Sequence, residues 1–452
     1  MKSNESDRRR FLKEGAVALA GGVALGATPG HAQEGQGEKK PANADDPKYA
    51  GAVPVSADWE SYGVPSRFAG SKRTAWRLLP LAVPTQLHQA TLYTPLQNQA
   101  GIITPSGLHY TVNHSGTAYP DIDPEQHRLL IHGMVERPLI FTMEDIKRLP
   151  SVSRIHFLEC NANTRPTGFG RGKENWQTPQ QTHGWASCSE WTGVRLSDLL
   201  RQVGVKKGAS WVISEGADQV RFTDSIPLSK ALYDTLVVYA QNGEPIRREQ
   251  GFPLRLFTPG FAGVHNVKYL HRIEVVDQPQ LSHFEIPMHA ERRLAPGRPG
   301  GWITHRFQIG PKSVILRPSG GQQLPGVGYF EITGLAWSGA GAVRKVEVST
   351  DNGRTWQAAQ LQQPVLTKAF TRFSVNWNWD GSEAVLLSRC TDDLGQVQPS
   401  LAQYAEAMLG PSARANPGVY PVDPKGGFFS MCNAIQPWKV TRDGSVINAM
   451  FF

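Results

Sequence analysis

The stretch RIHFLECNANTR, residues 154–165, joins a strand-like pattern to an irregular polar loop. Apolar and polar residues mostly alternate from Arg154 to Glu159, with Phe157 and Leu158 adjacent, and this pattern is typical of a half-buried β-strand. The loop over residues 161–172 is rich in Asn, Gly and Arg, and a strand end that feeds such a loop suits the presentation of a thiolate. Arg165 and Arg171 would favour the charged form of that thiol. A lone Cys is also a common buried hydrophobe, so these features alone leave both interpretations open.

A second chemically informative segment lies between residues 251 and 268. A short strand pattern ends at Pro259-Gly260, and the loop after it runs to the HNVK stretch at residues 265–268. Exposed backbone amides with cationic side chains are what a phosphate-bearing ligand requires. A surface β-loop-β connection with solvated bases is the alternative, and the pattern does not choose between the two.

Short helices and strands mix around these segments. Thr142 and Asp145 have the spacing of a capping box, which predicts a helix start. The apolar residues of 196–203 share one helical face, and Gly204 ends that helix. We predict an α+β domain over residues 59–308. Its strand patterns lie at residues 155–159, 211–214, 236–240, 254–257 and 267–276.

The pattern becomes β-rich from about residue 310. Short strand-like segments are separated by turn signals, of which Asp351-Asn352-Gly353 is the clearest. We predict an all-β immunoglobulin-like sandwich over residues 309–452, with the tail around Trp438 packing back on the body. The strand segments lie at residues 313–316, 329–332, 343–349, 372–377 and 384–388.

The composition restricts the function classes. The 452 residues carry a formal charge of +8, but only 19% are charged and the bases are scattered, so anionic small ligands or acidic partners fit better than nucleic acid. A 40% apolar content with 12 Trp allows a buried core. Beyond residue 28 no apolar run approaches the roughly 20 residues that span a bilayer. The four Cys include no Cys-x-x-Cys-His for haem, and the nucleotide-binding glycine motifs are absent from the sequence.

The N-terminus predicts export. Asp7 to Lys13 reads DRRRFLK, a weakly apolar stretch follows over residues 15–28, and small residues precede a cleavage point near Ala32. This is typical of a twin-arginine signal peptide at residues 1–32, followed by a flexible segment at 33–58. We therefore expect a periplasmic protein that folds around its cofactor before export.

Several ordered motifs occur from about residue 100 onward. They are Asn113-His114, ECNANTR at 159–165, EWTGV at 190–194, EGAD at 215–218, GFP at 251–253, VK at 267–268, GLAWSG at 334–339, VEVS at 346–349 and GRTW at 353–356. Together they resemble the sulfite oxidase family of molybdenum enzymes. Three further stretches are HSGTA at 114–118, RIHFLEC at 154–160 and NAIQ at 433–436. They carry a closer resemblance, within that family, to the molybdenum subunits of the sulfane dehydrogenases of thiosulfate-oxidising Sox systems.

The resemblance implies a role for each matching position. Cys160 would ligate molybdenum, in keeping with the preference of such centres for sulfur. Arg165 would be catalytic, orienting an anionic sulfur substrate through paired donors. Arg171 and His183 are weaker candidates for lining the entrance. The positions that would bind the pyranopterin and its phosphate are Asn113, His114, Asp218, Arg255, Asn266 and Lys268.

Three departures from the family pattern affect the expected substrate. Val112 stands where the family usually has Arg, and residues 281–300 lack the expected Tyr. Lys425-Gly426 is the counterpart of an Arg-Gly pair. In the Tyr region the nearest occupants are His283, Phe284 and His289. Because fewer side chains are then available to bind free sulfite, the sequence favours free sulfite less as the substrate.

The resemblance implies a periplasmic, molybdopterin-dependent oxidation of a reduced sulfur compound, either carrier-bound sulfane or sulfite. Electrons would pass to a c-type, dihaem cytochrome, and the C-terminal domain would form a homodimer. The alternatives are a dehydrogenase for free sulfite and a non-catalytic binding subunit of a periplasmic redox complex.

With Cys160 reserved for metal and Cys188 in the other domain, Cys390 and Cys432 are the expected disulfide pair.

Overall fold

The computed structural model describes residues 70–75, 91–113, 119–164, 177–282, 285, 290–295, 298–409 and 431–450. The predicted signal peptide and flexible segment lie outside these residues. Within the described part of the chain, no helix has the length and apolar character needed to cross a membrane. Also outside the described residues are His114, Arg165, Arg171, His283, Phe284, His289 and Lys425-Gly426.

Short helices and strands make up the N-terminal two thirds. Their bounds are β1 Thr74–Ala75, β2 Leu92–Tyr93, β3 Leu129–Gly133, β4 Leu139–Phe141, α1 Met143–Lys147, β5 Ser151–Glu159, α2 Pro179–His183, β6 Ala186–Arg195, α3 Leu196–Val203, β7 Trp211–Gly216, β8 Thr223–Pro227, α4 Leu228–Tyr233, β9 Leu236–Gln241, β10 Glu244–Pro245, β11 Arg255–Phe257 and β12 Leu270–Val276. The two larger sheets have five strands each, in the orders β10-β9-β6-β5, with β11 beside β9, and β4-β3-β12-β7-β8.

Local sequence signals explain where these helices begin and end. The Thr142 hydroxyl accepts from the Asp145 amide while the Asp145 carboxylate accepts from the Thr142 amide, which is the predicted capping box. Helix α3 ends at Gly204, whose φ of 70° is costly for other residues. The predicted apolar stripe of α3 is confirmed, since all four of its members are at most 1% exposed. They are Leu196, Leu199, Leu200 and Val203.

The C-terminal third forms a β-sandwich. Its elements are β13 Ala290–Ala295, β14 Arg298–His305, β15 Lys312–Arg317, β16 Gly328–Trp337, β17 Val343–Ser349, β18 Gln357–Ala358, β19 Gln360–Leu361, β20 Thr371–Trp379, β21 Ala384–Asp392, α5 Leu401–Leu409, β22 Trp438–Val440 and β23 Val446–Asn448. The hairpin β13–β14 leads into two sheets, β15-β16-β20-β19 and β18-β17-β21-β22-β23.

The predicted fold class is confirmed: an α+β domain is followed by an immunoglobulin-like β-sandwich. The tail returns to the body as predicted, because β22 pairs with β21 and Trp438 donates to the Ile315 carbonyl at 3.1 Å. The sequence did not predict α5. From Gly70 onward the chain is one compact unit, and the domain boundary at residues 308 and 309 stays a prediction.

The predicted disulfide between Cys390 and Cys432 is wrong, since both are buried free thiols. Cys390 faces the main core from β21, whereas Cys432 packs with Tyr404 and Ala434 in a separate cluster. Burial raises the pKa of the Cys390 thiol well above its usual range and that of Cys432 to about 11. Both sulfurs therefore behave as small apolar groups.

Candidate functional site

One cavity is lined by residues from five separate segments of the α+β domain. The empty space between its walls, counted together with the part that is open solvent, is about 630 Å³. Six of the seven cofactor-binding residues predicted from the sequence line this cavity, and the seventh, His114, lies outside the described residues. The six are Asn113, Cys160, Asp218, Arg255, Asn266 and Lys268.

Cys160 is presented where β5 ends. Its amide donates to the Trp185 carbonyl at 2.9 Å, and its carbonyl accepts from the Asn163 amide at 3.0 Å, so a tight turn follows the strand. The residue is 7% exposed and lines the cavity wall. The thiol is therefore held by backbone contacts on both sides rather than by a flexible loop.

Arg255 is a buried cation with an incomplete set of partners. Its Nη1 donates to the Gln250 carbonyl at 3.0 Å and to Gln250 Oε1 at 3.1 Å. The guanidinium lies 5.5 Å from the Trp191 ring centroid. Its buried Nε has no hydrogen-bond partner among the described residues. Burial lowers the pKa of Arg255 to about 10. A buried guanidinium facing a cavity with an unsatisfied donor is suited to an anionic ligand.

Lys268 is the second cation of the cavity. Its Nζ donates to the carbonyls of Val112 and Glu249, each at 3.1 Å. Burial lowers the pKa of Lys268 to about 7, and repulsion from Arg255 adds to that effect while Asp218 opposes it. An anion bound in the cavity would reverse the shift, because it would favour the charged amine.

Gly251 makes the approach of Lys268 possible. Its φ is 110°, and a Cβ at this position would lie 2.9 Å from Lys268 Cβ. A side chain would therefore be strained and would also push the lysine from the cavity wall. This gives a physical reason for the glycine of the Gly251-Phe252-Pro253 motif.

Two of the predicted polar residues shape the walls of the cavity. Asn266 Oδ1 accepts from the Thr258 amide at 2.7 Å, and its Nδ2 donates to the Ala262 carbonyl at 2.9 Å. Asp218 Oδ1 accepts from the Phe222 amide at 2.9 Å. These bonds fix the loops on which both residues lie, as Asx-type side chains commonly do.

The sequence did not single out Tyr110 and Gln250, which also line the cavity. Gln250 Nε2 donates to the Tyr110 carbonyl at 2.8 Å and so links two walls. Burial raises the pKa of Tyr110 well above its usual range. A tyrosine thus reaches the cavity from the segment before Asn113, although none occurs at residues 281–300. The periodicity of the sequence does not predict that Tyr110 and Gln250 line the cavity, because their side chains come together only in the folded protein.

His183 does not line this cavity, contrary to its weaker assignment to the entrance. It ends α2 fully buried, with Nδ1 2.9 Å from the Thr182 hydroxyl and its carbonyl accepting from Asn163 Nδ2 at 3.1 Å. Its physical role is to hold the turn after Cys160.

The lowered pKa of Lys268 predicts a pH effect on the full chain prepared without cofactor. Between about pH 7 and about pH 10 the unfolded lysine binds a proton that the folded lysine has lost, so the free energy of unfolding rises with pH across that window. Lys268→Met should remove this part of the slope. Denaturant titrations at several pH values measure it, and Lys147→Met, on the exposed side of α1, is the control. An equal slope in wild type and Lys268→Met would contradict the prediction.

Comparisons with known proteins agree with this arrangement. A family model described as an oxidoreductase molybdopterin binding domain matches residues 116–284, and one described as a Mo-co oxidoreductase dimerisation domain matches residues 305–412. The crystal structure of the sulfane dehydrogenase SoxCD from Paracoccus pantotrophus matches with a TM-score of 0.77 and 33% identity, covering 90% of this chain and 99% of that one.

The curated relatives include sulfite oxidases and nitrate reductases. Mitochondrial sulfite oxidase of Mus musculus is 31% identical in an alignment of 336 positions that covers 66% of this chain and 58% of that protein. An NADH nitrate reductase of Volvox carteri is 30% identical in an alignment of 405 positions that covers 80% of this chain and 45% of that protein. The chain spans about half the length of these curated relatives. The domain pair, the cavity and these matches together show that the chain belongs to the sulfite oxidase family of molybdopterin-binding oxidoreductases.

Proposed function

We propose that this chain is a periplasmic molybdopterin-dependent dehydrogenase that oxidises a reduced sulfur compound. The observation that carries the proposal is a thiol, Cys160, on the wall of a cavity that also contains two buried or half-buried cations, Arg255 and Lys268. A thiolate is a suitable metal ligand, and paired cations suit the phosphate of the pterin. The residues present therefore fit the cofactor that the family model names.

Each residue has a defined task in this proposal. When bound, the cofactor supplies oxygen-atom transfer to sulfur and takes up two electrons. Cys160 ligates the metal, while the Arg255 Nε and the Lys268 amine neutralise the anionic end of the pterin. Arg165, one residue beyond the turn at Cys160–Thr164, orients the anionic substrate.

The proposed substrate is a sulfane sulfur held on a carrier, with free sulfite as the alternative. Val112 lines the cavity where the family usually has Arg, and it offers only its carbonyl, which accepts from Lys268. An apolar side chain at this position removes one donor for a small oxyanion. The high coverage of the sulfane dehydrogenase structure favours the same choice, and the sulfite oxidase relatives favour the alternative.

Two measurements test the function. The full chain, expressed with its own N-terminus, is recovered from the periplasm and analysed for molybdenum; about one metal per chain is expected. Turnover is then compared with carrier-bound sulfane, thiosulfate and sulfite. A metal-free protein would support a binding subunit, preferential turnover of sulfite would establish the alternative, and retention in the cytoplasm would contradict the export proposal.

The proposed electron acceptor is a c-type, dihaem cytochrome. The sequence has no haem-attachment motif, and its four Cys are too few for an iron–sulfur cluster once Cys160 binds metal. We expect slow haem reduction with a general cytochrome and fast, salt-sensitive reduction with the partner. Stopped-flow mixing with substrate measures both rates. Rapid reduction of a quinone or oxygen by this chain alone, with no effect of cytochrome, would contradict the partner.

The sandwich is the proposed dimer interface, as the name of the matched dimerisation model suggests. It exposes large apolar side chains at Val327 and Tyr329, which are 70% and 66% exposed. We expect a dimer in sedimentation at micromolar concentration, and removal of residues 309–452 should give monomeric or insoluble protein. A monomeric full-length chain would contradict the dimer.

A further inference from the structure

We propose that two sandwich residues, Lys312 and Trp337, are positioning residues for the turn that carries Cys160, acting through Glu159. The inference deepens the proposed function, on which it rests, by assigning the sandwich a role in the geometry of the metal site beyond dimerisation. The turn is defined here as Cys160–Thr164.

The first step is a buried ion pair between the two domains. Lys312 Nζ, on β15, contacts Glu159 Oε1, at the end of β5, and both side chains are 0% exposed. Trp337 Nε1, on β16, donates to Glu159 Oε2 at 2.7 Å. A buried carboxylate is tolerated only when its lone pairs are satisfied. Here donors from the sandwich satisfy both oxygens of the residue directly before Cys160.

The second step is the contact of the same groups with the turn itself. Asn163 Nδ2 donates to Glu159 Oε1 at 3.0 Å, and its Oδ1 accepts from the Trp185 amide at 3.2 Å. Lys312 Nζ also donates to the Thr164 hydroxyl at 3.2 Å. The ion pair therefore links Glu159, the residue before the turn, to the last two residues of the turn.

The third step is the conformation of Thr164. Its φ is 58°, a left-handed conformation that is unfavourable for a β-branched residue and persists only where surrounding contacts enforce it. The Lys312 bond to its hydroxyl is such a contact. The sandwich lysine therefore holds the last residue of the turn, which directly precedes Arg165 in the sequence.

A purely stabilising role is a weaker explanation. Replacing a buried ion pair with apolar groups is often neutral or stabilising, so the pair is poorly explained by stability alone. Its specific consequence is the placement of the Cys160 sulfur relative to the cavity. A second segment supports the same turn, since the Met431 amide donates to the Asn161 carbonyl at 2.6 Å.

Lys312→Met in the full chain tests the proposal by hydrogen exchange. The amide of Asn163, bonded to the Cys160 carbonyl, should exchange about tenfold faster, while β12, residues 270–276, should keep its wild-type rate. Lys345→Met is the matched control, because Lys345 is a half-exposed lysine of β17 paired with Glu347 at 3.0 Å. A role confined to stability would accelerate both regions together.

Kinetics on the metal-loaded enzyme give the second readout. We expect kcat per bound molybdenum to fall about tenfold in Lys312→Met, in the range that loss of a supporting partner costs at a metal site. KM should change less, because Lys312 does not reach the cavity. Wild-type exchange at Asn163 together with wild-type kcat would overturn the proposal.

If Lys312→Met leaves Glu159 unpaired and fails to fold, the double variant Glu159→Gln with Lys312→Met removes both charges together. It also lacks the Lys312 bond to Thr164, so faster exchange of the turn is expected again. A double variant with wild-type exchange in the turn would overturn the proposal. Exchange needs no turnover, so failure of the proposed function would show in the molybdenum content and substrate assays instead.

Discussion

Cys160→Ser is expected to leave a folded protein whose turnover of sulfur substrates falls at least a hundredfold. A hydroxyl fits the space of a thiol but cannot reproduce the thiolate–metal bond. The loss should exceed the roughly 10- to 100-fold effect of removing an outer partner of a metal ligand. Because the turn is held by backbone bonds to Trp185 and Asn163, the substitution should preserve its shape. The measurements are kcat per chain, molybdenum content and the circular dichroism spectrum.

Cys188→Ser is the matched control for this experiment. Cys188 is a fully buried cysteine of β6 in the same domain, and burial raises the pKa of its thiol to about 12, so it remains a protonated core residue. We expect its substitution to lower stability by about 1 kcal/mol or more while activity is retained. A metal-loaded Cys160→Ser protein with full turnover would contradict the assignment of Cys160.

The local elements were predictable because their signals are local. The capping box at Thr142 and the stripe ended by Gly204 involve residues within one or two turns of each other, and both occur as predicted. Strand β5 begins at Ser151, four residues before the predicted start at residue 155, because pairing with β6 extends the strand beyond the predicted segment. Tertiary pairing therefore sets the ends of elements.

The composition of the cavity was partly predictable, and only through motif resemblance. From spacing alone, Cys160 could be either a buried hydrophobic residue or a metal ligand. The segment 251–268 could likewise be either a phosphate site or a surface loop. The fold brings Arg255 and Lys268 to the same cavity as Cys160. The sequence did not predict Tyr110 as a cavity residue, because the residues around it in the sequence do not distinguish a cavity residue from a core residue.

The contacts between the domains were not predictable from the sequence. Glu159 and Lys312 are 153 residues apart, and each reads as an ordinary member of a strand pattern. The disulfide prediction failed for a related reason, because counting cysteines ignores which core each strand faces. Cys390 and Cys432 belong to different clusters, and only the packing of the sandwich reveals this.

Lys268→Ala is expected to weaken cofactor binding by about ten- to a hundredfold and so to lower the cofactor content of the purified chain. A hydrogen bond to a charged group contributes about 1.5–3 kcal/mol, and each 1.4 kcal/mol is a factor of about ten in affinity. The cavity retains Arg255 as its other cation, so weakened binding is expected rather than none. Pterin and molybdenum analysis per chain measures the effect, with Lys147→Ala as the exposed control.

Activity per bound molybdenum should change little in the same Lys268→Ala protein, because the proposed task of Lys268 is neutralisation of charge rather than chemistry. The lowered pKa supports this: an amine with a pKa of about 7 in the protein alone has lost most of its preference for the charged form, which a phosphate would restore. The coupling predicts that proton uptake accompanies cofactor binding above about pH 7 and is absent in the variant. Normal pterin content with lost turnover would instead place Lys268 at the reacting sulfur, where its amine would contact the substrate.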